Sequence, residues 1–323
     1  MTNPSTDNKL ILESPISLFS EISTNAVKKN VPLAEFSRWK VGGCVDEIIH
    51  IHNKDELKRF ILSNKESYLV IGNTTNLLFS DEKLCGKLVK LSGQFSDLTI
   101  LDNIVTVGSS CYAPKLVRNC INKALTGLEH LVGIPATVGG LITMNGGSQR
   151  KSISDYLVSV VSIDPLGNII ERKKEDCGFG YRESIYKESK EIILSARFEL
   201  ELLRASDIPM IRRDALKILK DRRLKFPLKL PNCGSVFKSS PDVYALYGPP
   251  GKIIEDLGFK GLKIGGARVS NEHANFIVNE GGATDKDIIC LINMIKKSAK
   301  DNLGITLIPE VRLVTKDLKM VDL

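Results

Sequence analysis

Residues 127–149 read "GLEHLVGIPATVGGLITMNGGSQ", and this stretch combines closely spaced glycines with Leu, Ile, Val and Met and few charges. Flexible linkers are instead rich in serine and other polar residues. Because glycine has no Cβ, a backbone rich in it can approach another group closely. Two interpretations therefore stay open: a tightly packed turn, or a bed on which a flat cofactor lies.

The chain upstream of this stretch has a β-α-β rhythm. The pattern predicts a strand at 45–53, a helix over 54–63 and a second strand at 68–72. The second strand runs directly into "GNTTNLLFSD" at 72–81. Loops that follow strands often hold phosphates, because their backbone N–H groups are free. This loop is neither G-x-G-x-x-G nor a Walker A sequence, so by itself it is weak evidence.

Strands and helices also alternate downstream. We predict a helix over 113–124, a hairpin turning at Pro165-Leu166-Gly167, a strand in 191–203 and a basic helix in 211–229. A strand is predicted at Ser235 and another over the final stretch "GITLIPEVRLV" at 304–314. Between them, a helix from Thr284 to Asn302 has a capping residue at Thr284, Asp287 three residues later and Gly304 after its end.

Composition excludes several classes of protein. The chain has 323 residues, of which 42% are hydrophobic and 26% charged, as expected for two or three folded domains. No apolar run approaches the roughly 18 to 20 residues of a membrane span, and the N-terminus lacks a secretion signal pattern. Seven cysteines without a C-x-x-C pair suit reduced thiols in a cytoplasm. His50 and His52 have no accompanying ligands, so we predict no metal site.

The net charge of +7 is concentrated in the basic stretch 211–229. Its apolar residues are helically spaced, which fits a solvated amphipathic helix. A second interpretation is that it steers an anionic substrate toward a cleft. Nucleic-acid binding is disfavoured, because the chain has a single Trp and neither a nucleic-acid-binding motif nor a basic tail.

Ser235 lies in "NCGSVFKSS" at 232–240, a setting that could suggest a nucleophile. A hydrolase elbow requires G-x-S-x-G, and here the second glycine is absent. From the residues alone, Ser235 begins a strand. From the residues alone, an ordinary structural ion pair is the favoured interpretation of Arg182 and Glu310.

Several stretches together resemble the UDP-N-acetylenolpyruvoylglucosamine reductase family of bacterial cell-wall synthesis, in its shorter class. They occur in the family's order. The matching segments are "WKVGG" at 39–43, "VIGNTTNLL" at 70–78, "GIPATVGG" at 133–140, "MNGG" at 144–147, "FGYRES" at 179–184, "GSVFK" at 234–238, "LKIGGARVSNEHANFIVN" at 262–279 and "GITLIPEVR" at 304–312.

The resemblance implies an α+β protein with a two-subdomain FAD-binding fold of the vanillyl-alcohol oxidase type, followed by a C-terminal α+β substrate-binding domain. We expect a leader at 1–30, the FAD-binding domain at 31–205 and the substrate-binding domain at 206–323. The two FAD-binding subdomains would cover about 31–85 and 86–205.

The resemblance also implies the chemistry. NADPH would reduce FAD, and the reduced flavin would pass hydride to UDP-N-acetylglucosamine enolpyruvate, giving UDP-N-acetylmuramate for peptidoglycan. Ser235 is similar to the family's general acid, Arg182 would clamp the substrate carboxylate, and Glu310 would complete the polarising set. Burial beside apolar neighbours could raise the pKa of Glu310 enough for it to hold a proton.

The remaining expected site residues follow from the same motifs. Those expected to bind the cofactor are Gly72, Asn73, Thr74, Thr75, Asn76, Leu77, Gly133, Ile134, Pro135, Thr137, Gly139, Gly140 and Asn145. Those expected to bind substrate are Tyr181, Lys238 and Asn279. The expected setting is a cytoplasmic monomer without nucleic-acid partners.

The sequence departs from the family's pattern at two edges of the site. Thr74 stands where the phosphate loop normally has a glycine, and Ser239-Ser240-Pro241 stands where Asn-Pro is typical. Two alternatives therefore stay open. One is a paralogous flavoenzyme that acts on another nucleotide-sugar in surface polysaccharide synthesis. The other is a catalytically idle flavin-binding protein.

Overall fold

A computed structural model describes residues 27–323, so most of the expected leader at 1–30 lies outside the described residues. Residues 27–30 do not belong to a leader: they open β1 (Val27–Pro32), which pairs antiparallel with β2 (Cys44–Ile51). The pattern did not reveal β1 because only Val31 is buried and the residues before it are exposed or partly so. An edge strand of this kind shows no alternation of apolar and polar residues.

The first subdomain is built around a four-stranded sheet with the order β1-β2-β5-β3. Its helix begins where predicted, because the side chain of Asn53 accepts a hydrogen bond from the Glu56 backbone N–H at 2.9 Å. Leu57, Phe60 and Ile61 of that helix are buried against the sheet. The elements here are α1 (Lys54–Ser63), β3 (Tyr68–Val70), β4 (Leu77–Phe79) and β5 (Leu84–Leu91).

The second subdomain contains an antiparallel five-stranded sheet with the order β10-β9-β11-β7-β6. The predicted hairpin at 165–167 is confirmed: Asp164 Oδ1 accepts from the N–H groups of Leu166 and Asn168, and Gly167 takes φ +80°. The elements are β6 (Leu98–Leu101), β7 (Ile104–Gly108), α2 (Ala113–Asn122), β8 (Leu125–Thr126), α3 (Val138–Thr143), β9 (Leu157–Ile163), β10 (Ile169–Lys173), β11 (Ile192–Glu199) and β12 (Glu201–Leu202).

The third part is a small sheet, β13-β14-β15, covered by the long helix α7. The predicted cap is confirmed: Thr284 Oγ1 accepts from the Asp287 N–H at 3.1 Å, and Gly304 ends the helix at φ +69°. The elements are α4 (Ile208–Lys225), α5 (Pro241–Tyr247), α6 (Pro250–Asp256), β13 (Lys263–Ile264), β14 (Ala267–Val269), β15 (Ile277–Asn279) and α7 (Asp285–Leu303).

The strands predicted at Ser235 and over 304–314 are largely absent. The segment at Ser235 makes one isolated bridge, between Phe237 and Pro309, and the final stretch forms only β16 (Arg312–Val314). Two features accompany this irregular backbone. Gly234 adopts a left-handed φ of +82°, and the Asn275 side-chain amide bonds both the N–H and the carbonyl oxygen of Phe237.

The end of the chain returns to the first subdomain. β16 pairs in parallel with β4, and β17 (Met320–Asp322) pairs with β16. Val314 and Leu318 are buried in the same core as residues of β2 and β5. Residues 312–322, which we predicted within the substrate-binding domain, therefore complete the first subdomain. Over residues 27–323, no helix is at once long and apolar enough to cross a membrane.

Candidate active site

The two stretches expected to bind the cofactor meet in space. A Cβ added to Gly72 would lie 2.5 Å from Thr137 Oγ1, so only glycine permits this approach. Beside it, Asn73 Nδ2 donates to the Pro135 carbonyl oxygen at 3.1 Å. The structure thus brings the loop after β3 against the glycine-rich stretch that precedes α3.

The remaining residues of the loop, 74–77, contact two different parts of the protein. Thr74 is buried at φ +53°, and its hydroxyl contacts the backbone of residues 36–38. Asn76 Nδ2 donates to the Glu310 carbonyl oxygen at 2.9 Å. Leu77 continues into β4, with its N–H directed at the Thr74 carbonyl oxygen at 3.4 Å. Thr75, between Thr74 and Asn76 in the chain, is half-buried.

The start of α3 shows why its two glycines differ. Thr137 caps the helix, accepting from the Gly140 N–H at 3.3 Å. Gly139 packs against Ser109, where an added Cβ would lie 3.0 Å from the Ser109 Cβ, and its N–H donates to the Ser109 carbonyl oxygen at 2.7 Å. Gly140 is exposed, and a Cβ added there would lie 3.3 Å from Thr137 Oγ1, the atom that caps the helix. Gly139 therefore packs against Ser109, whereas Gly140 faces solvent beside the cap.

Polar atoms without partners lie beside these glycines. Within residues 27–323, no hydrogen-bond partner reaches Asn145 Oδ1, Ser109 Oγ or Ser110 Oγ, although all three atoms are buried. Asn145 is held in place because its Nδ2 donates to the Gly180 carbonyl oxygen at 2.8 Å. Buried polar groups are normally paired. Leftover amide and hydroxyl groups suit the polar edge and ribityl hydroxyls of a flavin, so the residues present fit FAD.

Gly133 and Ile134 begin the same stretch. The Gly133 carbonyl oxygen accepts from Arg222 Nε at 3.1 Å, and the guanidinium carbon of Arg222 lies 4.8 Å from the Phe226 ring centroid. Ile134 is half-buried against the core of the second subdomain. The basic helix α4 thus packs one arginine onto the glycine-rich stretch, and burial lowers the pKa of that arginine.

Arg182 and Glu310 form an ion pair beneath the cofactor loop. Arg182 Nε donates to Glu310 Oε1 at 2.8 Å, and the two side chains are 19% and 15% exposed. Arg182 sits at φ +60° in a tight turn closed by backbone bonds between Gly180 and Glu183. Burial raises the pKa of Glu310, although the charge of Arg182 opposes that rise. A carboxyl in this position can keep a proton at a higher pH than usual.

Ser235 is held next to this pair through the backbone. The Glu310 N–H donates to the carbonyl oxygen of Val236, the next residue after Ser235, at 2.7 Å. Before Ser235, the Cys233 thiol lies 3.4 Å from the Thr74 and Leu77 carbonyl oxygens, under the cofactor loop. The structure therefore brings the backbone of the Ser235 segment beside the Arg182–Glu310 pair, although these residues are distant in the chain.

Two of the three residues expected to bind substrate lie at the same edge. Lys238 Nζ is 3.3 Å from Glu183 Oε1, and the Ser239 N–H donates to the Tyr181 hydroxyl at 3.2 Å. The guanidinium carbon of Arg182 lies 5.1 Å from the Tyr181 ring centroid. Tyr181 is 54% exposed, so its ring is accessible from solvent.

Asn279, the third residue expected to bind substrate, lies at the end of β15 and makes other contacts. Its Nδ2 donates to the Trp39 carbonyl oxygen at 2.9 Å, while its Oδ1 accepts from the N–H groups of Gly281 and Ala283 at 2.8 and 3.2 Å. The side chain is buried and fully engaged in holding the end of β15. In this structure its side-chain amide therefore holds local backbone, and its role in substrate binding stays a prediction.

Sequence reasoning missed three contributors to the site. Ser109 and Ser110 follow β7 in "GSS", a glycine-serine sequence after a strand that could have drawn attention. Glu183 adjoins Arg182 but gave no signal of its own. It forms ion pairs with both Lys187 and Lys238.

Two known protein families match parts of this chain. The family described as "FAD binding domain" matches residues 48–172. The family described as "UDP-N-acetylenolpyruvoylglucosamine reductase, C-terminal domain" matches residues 226–314. Together the two matches contain the glycine-rich stretch, the segment of Ser235 and Glu310.

Individual proteins are similar over nearly their whole length. UDP-N-acetylenolpyruvoylglucosamine reductase 1 of Corynebacterium glutamicum is 39% identical over 284 residues, covering 87% of this chain and 84% of that protein. The reductase of Clostridioides difficile is 34% identical over 306 residues, covering 94% and 98%. The crystal structure of the Thermus caldophilus reductase superposes with a TM-score of 0.75 at 31% identity, covering 89% and 98%.

Proposed function

Because the chain belongs to the UDP-N-acetylenolpyruvoylglucosamine reductase family, we propose that it reduces UDP-N-acetylglucosamine enolpyruvate to UDP-N-acetylmuramate in peptidoglycan precursor synthesis. It is an FAD-dependent oxidoreductase, and NADPH is the proposed reductant. The predicted α+β class, with an FAD-binding fold followed by a second α+β part, is confirmed. We further propose that the protein acts as a monomer, since its three proposed catalytic residues come from one chain, and that it works in the cytoplasm, whose reducing setting suits its cysteines.

The observation that carries the proposal is the Arg182–Glu310 pair beside the Ser235 segment and below the cofactor loop. FAD, which Asn145, Ser109 and Ser110 would help to hold, would supply a hydride to one carbon of the enolpyruvyl double bond when reduced. The other carbon then carries negative charge shared with the carboxylate. A hydride and a proton together complete the reduction, so the protein must provide the proton and stabilise the charge.

Each residue has a separate part in this scheme. Arg182, permanently charged and fork-shaped, holds the substrate carboxylate. Glu310, whose pKa is raised by burial against the opposing charge of Arg182, lies beside the same group and can keep a proton at a higher pH than usual. Ser235 donates its hydroxyl proton to the carbanionic carbon and recovers a proton from solvent. Lys238 and Tyr181 lie at the edge where the nucleotide-sugar enters.

The proposal is tested by the colour of the protein. The purified protein should be yellow, and NADPH should bleach it without oxygen. Adding UDP-N-acetylglucosamine enolpyruvate should restore the colour, and UDP-N-acetylmuramate should accumulate in equal amount. Recovery with a different nucleotide-sugar alone would favour the paralogous flavoenzyme. A protein that binds flavin but is bleached and recoloured by neither partner would contradict an enzymatic function.

Glu183 competes with the substrate for Lys238. Its carboxylate is 3.3 Å from Lys238 Nζ, and the Glu183 side chain is 52% exposed. Replacing Glu183 with glutamine should free the Lys238 charge for the diphosphate of the substrate. We expect KM to fall roughly two- to fivefold at low salt with kcat unchanged, the range of a partly exposed ion pair.

Glu188 provides the matched control for this prediction. Its side chain is 80% exposed and lies 3.7 Å from Arg312, so Glu188→Gln removes the same charge nearby without touching Lys238. Steady-state kinetics on both variants at low and high salt decide the matter. An equal change of KM in the two variants, or a rise in Glu183→Gln, would refute a specific role for Glu183.

A further inference from the structure

The cofactor loop is fastened to the turn formed by residues 36–39, here called the Phe36–Trp39 turn. The Thr74 hydroxyl accepts the Arg38 backbone N–H at 3.2 Å and donates to the Phe36 carbonyl oxygen at 3.0 Å. Thr74 is only 4% exposed, so both bonds are shielded from water. A glycine at this position has no side chain with which to make either bond.

The same turn is fastened to the C-terminal part of the protein. Trp39 is fully buried, and its indole N–H donates to the Ile277 carbonyl oxygen in β15 at 2.7 Å. In the opposite direction, Asn279 Nδ2 donates to the Trp39 carbonyl oxygen at 2.9 Å. Hydrogen bonds from Thr74 to Phe36 and Arg38, the backbone that joins Arg38 to Trp39, and the hydrogen bonds of Trp39 together connect the cofactor loop to β15.

Thr74 occupies a backbone conformation that disfavours its own side chain. Its φ of +53° lies in the left-handed region, where glycine is the preferred residue and a β-branched residue is strained. Strained residues persist where surrounding contacts determine them. Here those contacts are the two hydrogen bonds of the Thr74 hydroxyl to the turn. Bonds made by the Thr74 backbone do not count, because any residue at this position could make them.

We propose that Thr74 is a positioning residue whose hydroxyl fastens the Phe36–Trp39 turn to the cofactor loop, so that flavin binding and the docking of β15 onto Trp39 are coupled. The inference rests on the proposed function in that residues 72–76 hold the flavin. Its consequence is that flavin release and loosening of the domain contact at Trp39 occur together in this chain.

Two optical signals follow the two events in the flavin-bound protein. Trp39 is the single tryptophan of the chain, so tryptophan emission reports the turn alone. Flavin emission rises when the cofactor is released. On heating the wild-type protein, both signals should change in one transition.

The variants separate the hydroxyl from the shape of the side chain. Thr74→Val keeps the branched shape and removes the hydroxyl, whereas Thr74→Ser keeps the hydroxyl. In Thr74→Val, flavin release should shift at least about 5 °C below the Trp39 transition. In Thr74→Ser, the two transitions should stay coincident. A single coincident transition in Thr74→Val, at any temperature, would overturn the proposal, since a purely structural role lowers both signals together.

Thr74→Gly guards against failure of the valine variant to fold, because glycine relieves the backbone strain while removing the hydroxyl. It should also separate the two transitions. Asp102→Gly is the control, since Asp102 is an exposed turn residue with the same φ of +53°.

If the wild-type protein carries no flavin, the proposed function fails. The hydroxyl is then tested at 25 °C alone: red-shifted Trp39 emission in Thr74→Val but not Thr74→Ser supports the fastening, and unshifted emission refutes it.

Discussion

Replacing Ser235 with alanine should slow reoxidation of the reduced flavin by substrate at least about 100-fold, and up to about 10,000-fold, the range attributed to a positioned proton donor. The reason is that the carbon opposite the hydride then lacks its donor, while Arg182 and Glu310 still hold the carboxylate. Flavin content and reduction by NADPH should stay near the wild-type values, because that half-reaction does not use the hydroxyl.

Stopped-flow measurement of each half-reaction checks this expectation. Ser235→Cys should recover part of the lost rate, since a thiol can donate a proton although its size differs. The side chain is half-buried and Gly234 before it has open space around it, so neither substitution crowds the segment. Wild-type speed in both half-reactions of the alanine variant would leave Ser235 with no role beyond the backbone of its segment.

Replacing Arg182 with methionine should strongly lower both the rate of substrate turnover and the free energy of unfolding. Removing one donor to a developing negative charge costs about 100-fold or more in rate. It also leaves Glu310 buried without its partner, and breaking such a pair costs about 3–5 kcal/mol in the free energy of unfolding. Burial raises the pKa of Glu310, and the loss of Arg182 removes the charge that opposed that rise.

The pH dependence of the free energy of unfolding follows from the direction in which the pKa of Glu310 is shifted. A carboxyl with a raised pKa in the folded state favours folding at low pH, and that contribution is lost as the pH rises through the folded pKa. The Arg182→Met variant should therefore be least stable at pH 8 and recover toward pH 5. Urea unfolding at the two pH values measures the difference.

A double variant separates stability from catalysis. Adding Glu310→Gln to Arg182→Met removes the unpaired carboxyl, so the free energy of unfolding should return toward the wild-type value and lose its dependence on pH. Substrate turnover should stay low, because the guanidinium is still absent. If turnover recovered together with stability, Arg182 would matter only as a structural partner of Glu310.

Local signals in the sequence predicted much of the secondary structure. The helix α1 and the cap of α7 were predictable because Asn53 and Thr284 cap their helices through contacts within three residues. α4 ends at Lys225, short of the predicted 229, because Pro227 disfavours helix at the residue before it. That the cofactor-binding stretches and the catalytic residues lie close together in space was predictable only through the resemblance to the family.

What the sequence could not predict depends on distant partners. The Ser235 segment looks like a strand, but Gly234 before it takes a left-handed backbone angle, and the distant Asn275 side chain bonds the N–H and the carbonyl oxygen of Phe237. Asn279 was expected to bind substrate because a motif contains it, whereas its amide serves Trp39. Thr74 looked like a drift away from glycine, and only the structure reveals its bonds to residues 36 and 38.

The return of the C-terminal strand has a consequence for biosynthesis. β4 has β16 as its single strand partner in the described chain, and Asn76 beside it bonds to Glu310, 234 positions later. A ribosome adding about 5–20 residues per second needs roughly 10 to 50 s to make that stretch. Throughout that time the nascent first subdomain lacks Val314 and Leu318 from its core, and β4 has an open edge. Completion of this subdomain, and of the cofactor loop that leads into β4, therefore waits until residues 312–318 have been synthesised.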